Sequence, residues 1–321
     1  FSKEIYDQFE FLPISIYFFS DGVFTIATKK GYEDLIGKQI VKVNDIDIKQ
    51  IFEQVKPLIA HENDYWVMYT FPEFFCCYNV LKYLGVTSSK TVKLTVTDGN
   101  CSYEHNLPLI SFKDMSRQDD WRTFYDQFRI SSSIAEKNKK LNYWYEYLEQ
   151  YHAIYFQYNA CEESADQTMT EFAQIFFSRV KKEKISNIII DLRYNSGGDS
   201  GLFSENIYPQ LKKISNINVF FIIGRKTFSS GLFAVRELTS LSNSISFGEP
   251  TGNSPNHYGQ TGFLKLQNTN ITVTFSTSHW NLFPDNHANT YTPDVFVPID
   301  SKSLFRGEDK VTQKIFDYIK N

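Results

Sequence analysis

Two apolar runs in the second half of the chain stop at corners richer in glycine and serine than a plain turn requires. "NIIIDLRYNSGG" spans Asn187–Gly198 and "NVFFIIGRKTFSSG" spans Asn218–Gly231. A short, unbroken apolar run reads as a strand covered on both faces, because an exposed face would show alternation. A further strand pattern, "AIYFQYN" (Ala153–Asn159), precedes them. Between it and the first run, "QTMTEFAQIFFSRVKKEK" spaces Phe172, Ile175, Phe176 and Val180 along one helical face. Strand, helix, buried strand, corner, helix, buried strand is the rhythm of a parallel sheet with crossover helices. In such sheets functional groups collect beyond the carboxyl ends of the strands, which is where both corners fall.

Each corner has an ordinary reading and a chemical one. Gly197-Gly198 frees the backbone to reach positive φ and to present successive N–H groups, either as a flexible turn or as a nest for an oxyanion. Ser229 and Ser230 stand before Leu232, Val235 and Leu238, which have helical spacing. A serine there is either an N-cap or a nucleophile set at the positive end of a helix. A third stretch, "GEPTGNSPNHYGQ" (Gly248–Gln260), holds three glycines, two prolines and a histidine. It cannot be helix or regular strand throughout, and reads as a shaped loop.

The first half differs. "VFTIATK" (Val23–Lys29) alternates with period two, and "LIGKQIVKVNDIDI" (Leu35–Ile48) holds two strand runs around an Asn44-Asp45 turn. A mostly helical segment follows, broken or kinked at Pro57. "SKTVKLTVTDG" (Ser89–Gly99) is another alternating strand, and Lys113–Lys140 is polar and charged. The expected organisation is a small α+β unit over 1–115, a connection over 116–140 and a core domain over 141–321.

With 321 residues, 42% of them apolar, the chain is long enough for two such cores. A net charge of −4 leaves no basic excess for a nucleic-acid partner. No run of about 18 apolar residues is present to span a membrane. Cys76, Cys77, Cys101 and Cys161 form no CxxC pair, so no zinc knuckle is expected and all four read as buried thiols, with a disulfide at Cys101 left open. The chain opens on Phe1 without a secretory-signal pattern and reads as a mature product or a piece of a longer chain, which leaves an upstream segment open.

Taken together and in order, these stretches resemble the C-terminal processing, or tail-specific, serine proteases, a family that includes the tricorn core protease. "DLRYNSGG" is similar to its Asp-Leu-Arg-x-Asn-x-Gly-Gly, "TFSSG" to its nucleophile turn, "GEPTG" to its Gly-Glu-Pro-Thr loop and "TPDVFVP" (Thr292–Pro298) to its closing strand. The resemblance covers most of the chain. It implies an α/β fold with a crotonase/Clp-protease-like spiral core and mostly parallel sheet, plus a smaller PDZ-like α+β domain. It further implies a serine-type endopeptidase acting on a polypeptide substrate, without metal or organic cofactor, in an extracytoplasmic or cell-envelope setting.

The resemblance makes Ser229 the nucleophile and gives the oxyanion hole to the backbone of Gly197, Gly198 and Ser230. One departure matters. Many family members carry a lysine base at the position held here by Ser254, 25 residues after Ser229 (254 − 229), and no lysine lies between Lys226 and Lys265. Other branches use a histidine. His257, in the same loop, is the candidate here, alongside a histidine upstream of the chain; His61, His105 and His152 read as ordinary surface or strand residues, and His279 and His287 as structural. Glu249 would orient a base or form an ion pair with Arg193. The missing lysine also leaves open a catalytically inactive relative that binds peptides or apolar ligands. Thioester chemistry on the same core type ranks last, since no CoA-binding signature is visible.

Overall fold

The computed structural model describes residues 7–214 and 216–320. The first residues of the expected 1–115 unit therefore lie outside the described residues. The N-terminal part is built on an antiparallel sheet of β1 (Ile14–Phe19), β2 (Gly22–Lys29), β3 (Gln39–Val43), β4 (Thr91–Thr97) and β5 (Ser102–Pro108), in that order. Its turns follow the sequence chemistry: Asn44 takes positive φ (51°) between β3 and the short strand Ile46–Asp47. Asp47 then caps α1 (Ile48–Val55), accepting from the Lys49 N–H. Pro57 sits at the start of the 3-10 turn that ends this helix. The longer α2 (Asp64–Cys76) packs with α1 on one face of the sheet, burying Ile51, Phe52, Val67, Phe71 and Phe75. The connection over 116–140 takes part in the sheet, since its strand Trp121–Thr123 pairs with β2.

The second part is a six-stranded sheet. Its strands are β6 (Tyr143–Leu148), β7 (Ala153–Tyr158), β8 (Asn187–Asp191), β9 (Asn218–Ile223), β10 (Ser244–Gly248) and the short Val295–Phe296, and they pair in that order. Only β6 runs antiparallel. The apolar runs of β8 and β9 are covered on both faces. Ile188, Ile190, Val219 and Phe221 face a core that includes Phe172, Phe176 and Val180 of the crossover helix Met169–Lys182. Ile189, Phe220 and Ile222 face Val311 and Ile315 of the C-terminal helix Lys310–Lys320. Ile175, expected on the buried face of the crossover helix, is half exposed. That helix starts in a capping box between Thr168 and Glu171.

Register places the two corners side by side. Asp191 of β8 lies opposite Ile222 of β9, and Ile223 opposite Gly248 of β10. The Gly197-Gly198 corner, the Ser229 turn and the Gly248 loop therefore leave the same sheet edge. The expected shaped loop is irregular only to Pro255. From Asn256 it becomes a strand, Asn256–Lys265, which pairs with Thr272–Asn281 in a two-stranded hairpin apart from the main sheets.

All four cysteines are free thiols. Cys101 is exposed, in the turn between β4 and β5, which corrects the expectation that all four are buried. No helix among the described residues is long and apolar enough to cross a membrane.

Candidate active site

The backbone of Ser229 is the most constrained point of the site. It sits at φ 49°, ψ −123°, between β9 and the helix Ser230–Thr239. A side-chain-bearing residue in this region costs about 1–3 kcal/mol and persists only where its surroundings hold it. Here they do: the Ser229 N–H donates to Asn253 Oδ1 at 2.7 Å, the Phe228 N–H to the Asn195 carbonyl at 2.9 Å, and Thr227 Oγ1 to the Leu192 carbonyl at 2.9 Å. The Ser229 hydroxyl makes no hydrogen bond among the described residues and is not its own helix's cap.

Gly197 faces this serine. A Cβ on Gly197 would lie 2.7 Å from Ser229 Cβ and 3.0 Å from Ser230 N, so only glycine allows the two corners to meet. Gly197 and Gly198 both have positive φ (104° and 128°). Their N–H groups are not equivalent. That of Gly197 donates to Asn195 Oδ1 at 2.9 Å, whereas that of exposed Gly198 has no acceptor among the described residues. Ser230 N, at the first position of its helix, is likewise unengaged, as helix starts leave their N–H groups. The Ser230 hydroxyl is occupied: it donates to the Gly198 carbonyl at 2.5 Å and ties the two corners together.

The Gly-Glu-Pro-Thr loop supports the serine indirectly. Glu249 is buried in an ion pair with Arg225 at 2.7 Å, not with Arg193. Arg193 instead pairs with Asp191 at 2.8 Å and Asp309 at 3.0 Å, fixing the β8 corner to the C-terminal helix. Burial pushes the Asp191 carboxyl up against the pull of Arg193. Ser254, at the position of the family's lysine, directs its hydroxyl toward the Ala288 carbonyl at 3.4 Å.

His257 stands at the root of the hairpin, only 1% exposed, with its ring edge-on to Phe233 of the Ser230–Thr239 helix at 6.5 Å. Nδ1 lies 3.0 Å from the Ser254 carbonyl, so it carries the proton and leaves Nε2 with the lone pair. Nε2 is buried and has no partner, so the expected hydrogen bond from Ser229 to His257 is not formed. Burial lowers the basicity of this imidazole.

Sequence reading missed the segment 59–66, which leads into α2 and lies against the Ser229 turn and its loop. Glu62 accepts from Asn253 Nδ2 at 2.6 Å and from Ser254 N at 2.7 Å. Asn63 caps α2 through Trp66 N at 3.1 Å, while its Nδ2 donates to the carbonyls of Thr251, Gly252 and Asn289. Trp66 packs on Phe228 with centroids 4.4 Å apart. His61 directly precedes Glu62. Its ring is exposed, and Nδ1 is anchored 2.6 Å from the Ile59 carbonyl, leaving Nε2 as the acceptor nitrogen. These partners lie about 190 positions from the loop they hold (253 − 62 = 191), and an isolated Glu or Asn gives no local signal of such a role. No cluster of three or more potential metal ligands occurs among the described residues.

No protein-family model matches the sequence, and no curated protein matches it either. Solved structures do. Mature CPAF complexed with lactacystin superposes with a TM-score of 0.64 at 9% identity, covering 97% of this chain and 83% of that one. Mature CPAF alone gives 0.63 at 10% identity over 97% and 81%. A photosystem II D1 C-terminal processing protease matches at a TM-score of 0.35 and 11% identity, over 94% of this chain and 78% of that one. With its shared sheet edge and a superposition covering 97% of its length, the chain has the fold of mature CPAF.

Proposed function

We propose that this chain is a serine peptidase that cleaves peptide bonds through an acyl-enzyme on Ser229. The observation that carries the reading is the strained Ser229 turn packed against Gly197, with the Gly198 and Ser230 N–H groups free of internal acceptors. Two free donors beside a nucleophile are what a tetrahedral oxyanion requires. Gly198 and Ser230 then form the oxyanion hole, and Gly197 supplies the space. Ser229 Oγ attacks the substrate carbonyl carbon as its proton passes to an imidazole. The C–N bond breaks, the amine leaves with that proton, and water hydrolyses the ester with the same imidazole as base.

His61 is the better base of the two candidates. Its acceptor nitrogen is on an exposed ring in the segment clamped to the Ser229 turn, whereas His257 is sealed, weakened by burial and unbonded to Ser229. His257 acts as a positioning residue, holding the Ser254 carbonyl within the strap that carries Asn253. The N-terminal sheet and its two helices, within 1–115, form the PDZ-like unit that receives the polypeptide. The sheet from 141 onward is the spiral catalytic core.

The competing reading is a catalytically inactive binder on the same fold, and its support is that the Ser229 hydroxyl has no hydrogen bond among the described residues. Labelling by a fluorophosphonate probe, with the modified residue located by mass spectrometry, separates the two. The peptidase reading expects adduct on Ser229, none in Ser229→Ala, and labelling slowed by about 100-fold or more in His61→Gln. No adduct on the folded protein favours the binder. Strong slowing in His257→Gln with His61→Gln unaffected would return the base to His257.

A further inference from the structure

A cavity of about 210 Å³ opens on the same sheet edge, on the Arg193 side of the loop that leads to Ser229. Its walls come from both sheets. Tyr17, Tyr69, Phe124 and Tyr125 contribute from the N-terminal side, and Tyr194 and Lys226 from the core. Ser229 does not line it.

Three of the four cations lining the cavity have carboxylate partners. Arg193 is matched by Asp191 and Asp309, Arg225 by Glu249, and Lys139 by Glu136. Lys226 has no ion-pair or hydrogen-bond partner among the described residues, although it is only partly exposed. Burial and the nearby Lys139 charge lower its basicity, with Glu73 pulling the other way. Arg225 adds a buried Nε with no acceptor. The hydroxyls of Tyr17, Tyr69 and Tyr125 also bond nothing among the described residues, whereas Tyr194 donates to Glu136. The cavity thus combines one ammonium without a bonded partner and three unused phenols with walls that are mostly aromatic and aliphatic.

We infer that this cavity is a binding site for a small aromatic monocarboxylate, its carboxylate held by Lys226 and the tyrosine hydroxyls and its ring packed among Tyr17, Phe124 and Tyr194. One unpaired ammonium matches one negative charge; a dianionic phosphate would bring a second charge into a largely apolar enclosure. The volume suits a phenyl ring with a short chain, below the size of a drug-like ligand. Lys226 lies three positions before Ser229, so the ligand would rest on the loop that carries the nucleophile. The inference does not depend on Ser229 being catalytic.

Calorimetric titration of the intact chain at neutral pH with hydrocinnamate tests it. The expected result is saturable one-to-one binding, weakened about tenfold or more for hydrocinnamyl alcohol, which keeps the ring and loses the charge. Lys226→Met should weaken hydrocinnamate binding by about tenfold, and Lys226→Arg should largely retain it, with each variant's fold checked by its thermal transition. Octanoate should bind more weakly than hydrocinnamate. Equal affinity for acid and alcohol, or unchanged affinity in Lys226→Met, overturns the carboxylate assignment; tighter binding of octanoate overturns the aromatic one.

Discussion

Asn253 holds Ser229 in place through its backbone. Its Oδ1 accepts the Ser229 N–H at 2.7 Å, while its Nδ2 donates to Glu62 at 2.6 Å. One amide side chain therefore links the strained turn to the segment entering α2. The orientation of the amide is fixed by having a donor on one side and a carboxylate on the other.

The expected consequence is that Asn253→Ala loosens the turn without removing any reacting group. An N–H left without its acceptor beside a strained backbone should cost about 1–3 kcal/mol of stability, read from urea unfolding. Fluorophosphonate labelling of Ser229 should slow by about tenfold or more, because the hydroxyl would no longer be held in one place. Asn253→Asp retains the acceptor toward Ser229 but sets a carboxylate against Glu62, and should be at least as damaging. Unchanged labelling in both variants would show that the Ser229 conformation is held without Asn253.

Much of this site could be read from local sequence, and the parts that could not share one property. Gly197, Gly198 and Ser229 announce themselves because positive φ and a serine at a strand-to-helix corner leave local marks. Gly197 and Gly198 look interchangeable in sequence; only the Asn195 side chain, which takes the Gly197 N–H, separates spacer from donor. Asn253, Glu62 and Asn63 were invisible because their partners are distant in sequence and their residue types are common in any loop. Glu249 was seen but given the wrong arginine, since Arg193 and Arg225 stand at equivalent corners of neighbouring strands and only the packing decides which one it meets. In the fold, the buried strands were legible from unbroken apolar runs. The hairpin over 256–281 was not: Ile271, Val273 and Phe275 do alternate with Thr272, Thr274 and Ser276, but its first strand follows a glycine- and proline-rich stretch that reads as loop, and both strands lie mostly exposed.

The buried cluster around Arg193 should behave as a unit. Its guanidinium reaches Asp191, Asp309 and Thr312, and Tyr155 also donates to Asp191 at 2.5 Å. Removing the cation leaves two carboxylates buried and close together. Arg193→Met should therefore destabilise the chain by about 3–5 kcal/mol in chemical denaturation at pH 7. The loss should shrink as pH falls, since protonated Asp191 and Asp309 no longer need the cation. A loss below about 1 kcal/mol at pH 7 would mean that water reaches the cluster and screens it.

His257 carries a pH signature that distinguishes a positioning role from a catalytic one. Its imidazole is held below its ordinary value of about 6.5, chiefly by burial, with Glu62 pulling the other way. Below that ordinary value the unfolded chain takes up a proton at this position and the folded chain does not, so stability rises with pH across the window. The contribution is fully present above about pH 6.5 and is lost as pH falls below it. Urea unfolding between pH 5 and 8 should show this slope in the wild type, and His257→Gln should reduce it. In the same variant, fluorophosphonate labelling should fall only modestly, because in the proposed mechanism His257 only holds the Ser254 carbonyl in place. A flat stability profile for the wild type would mean that His257 is hydrated in solution. A labelling midpoint that disappears in His257→Gln would make its Nε2 the proton acceptor for Ser229.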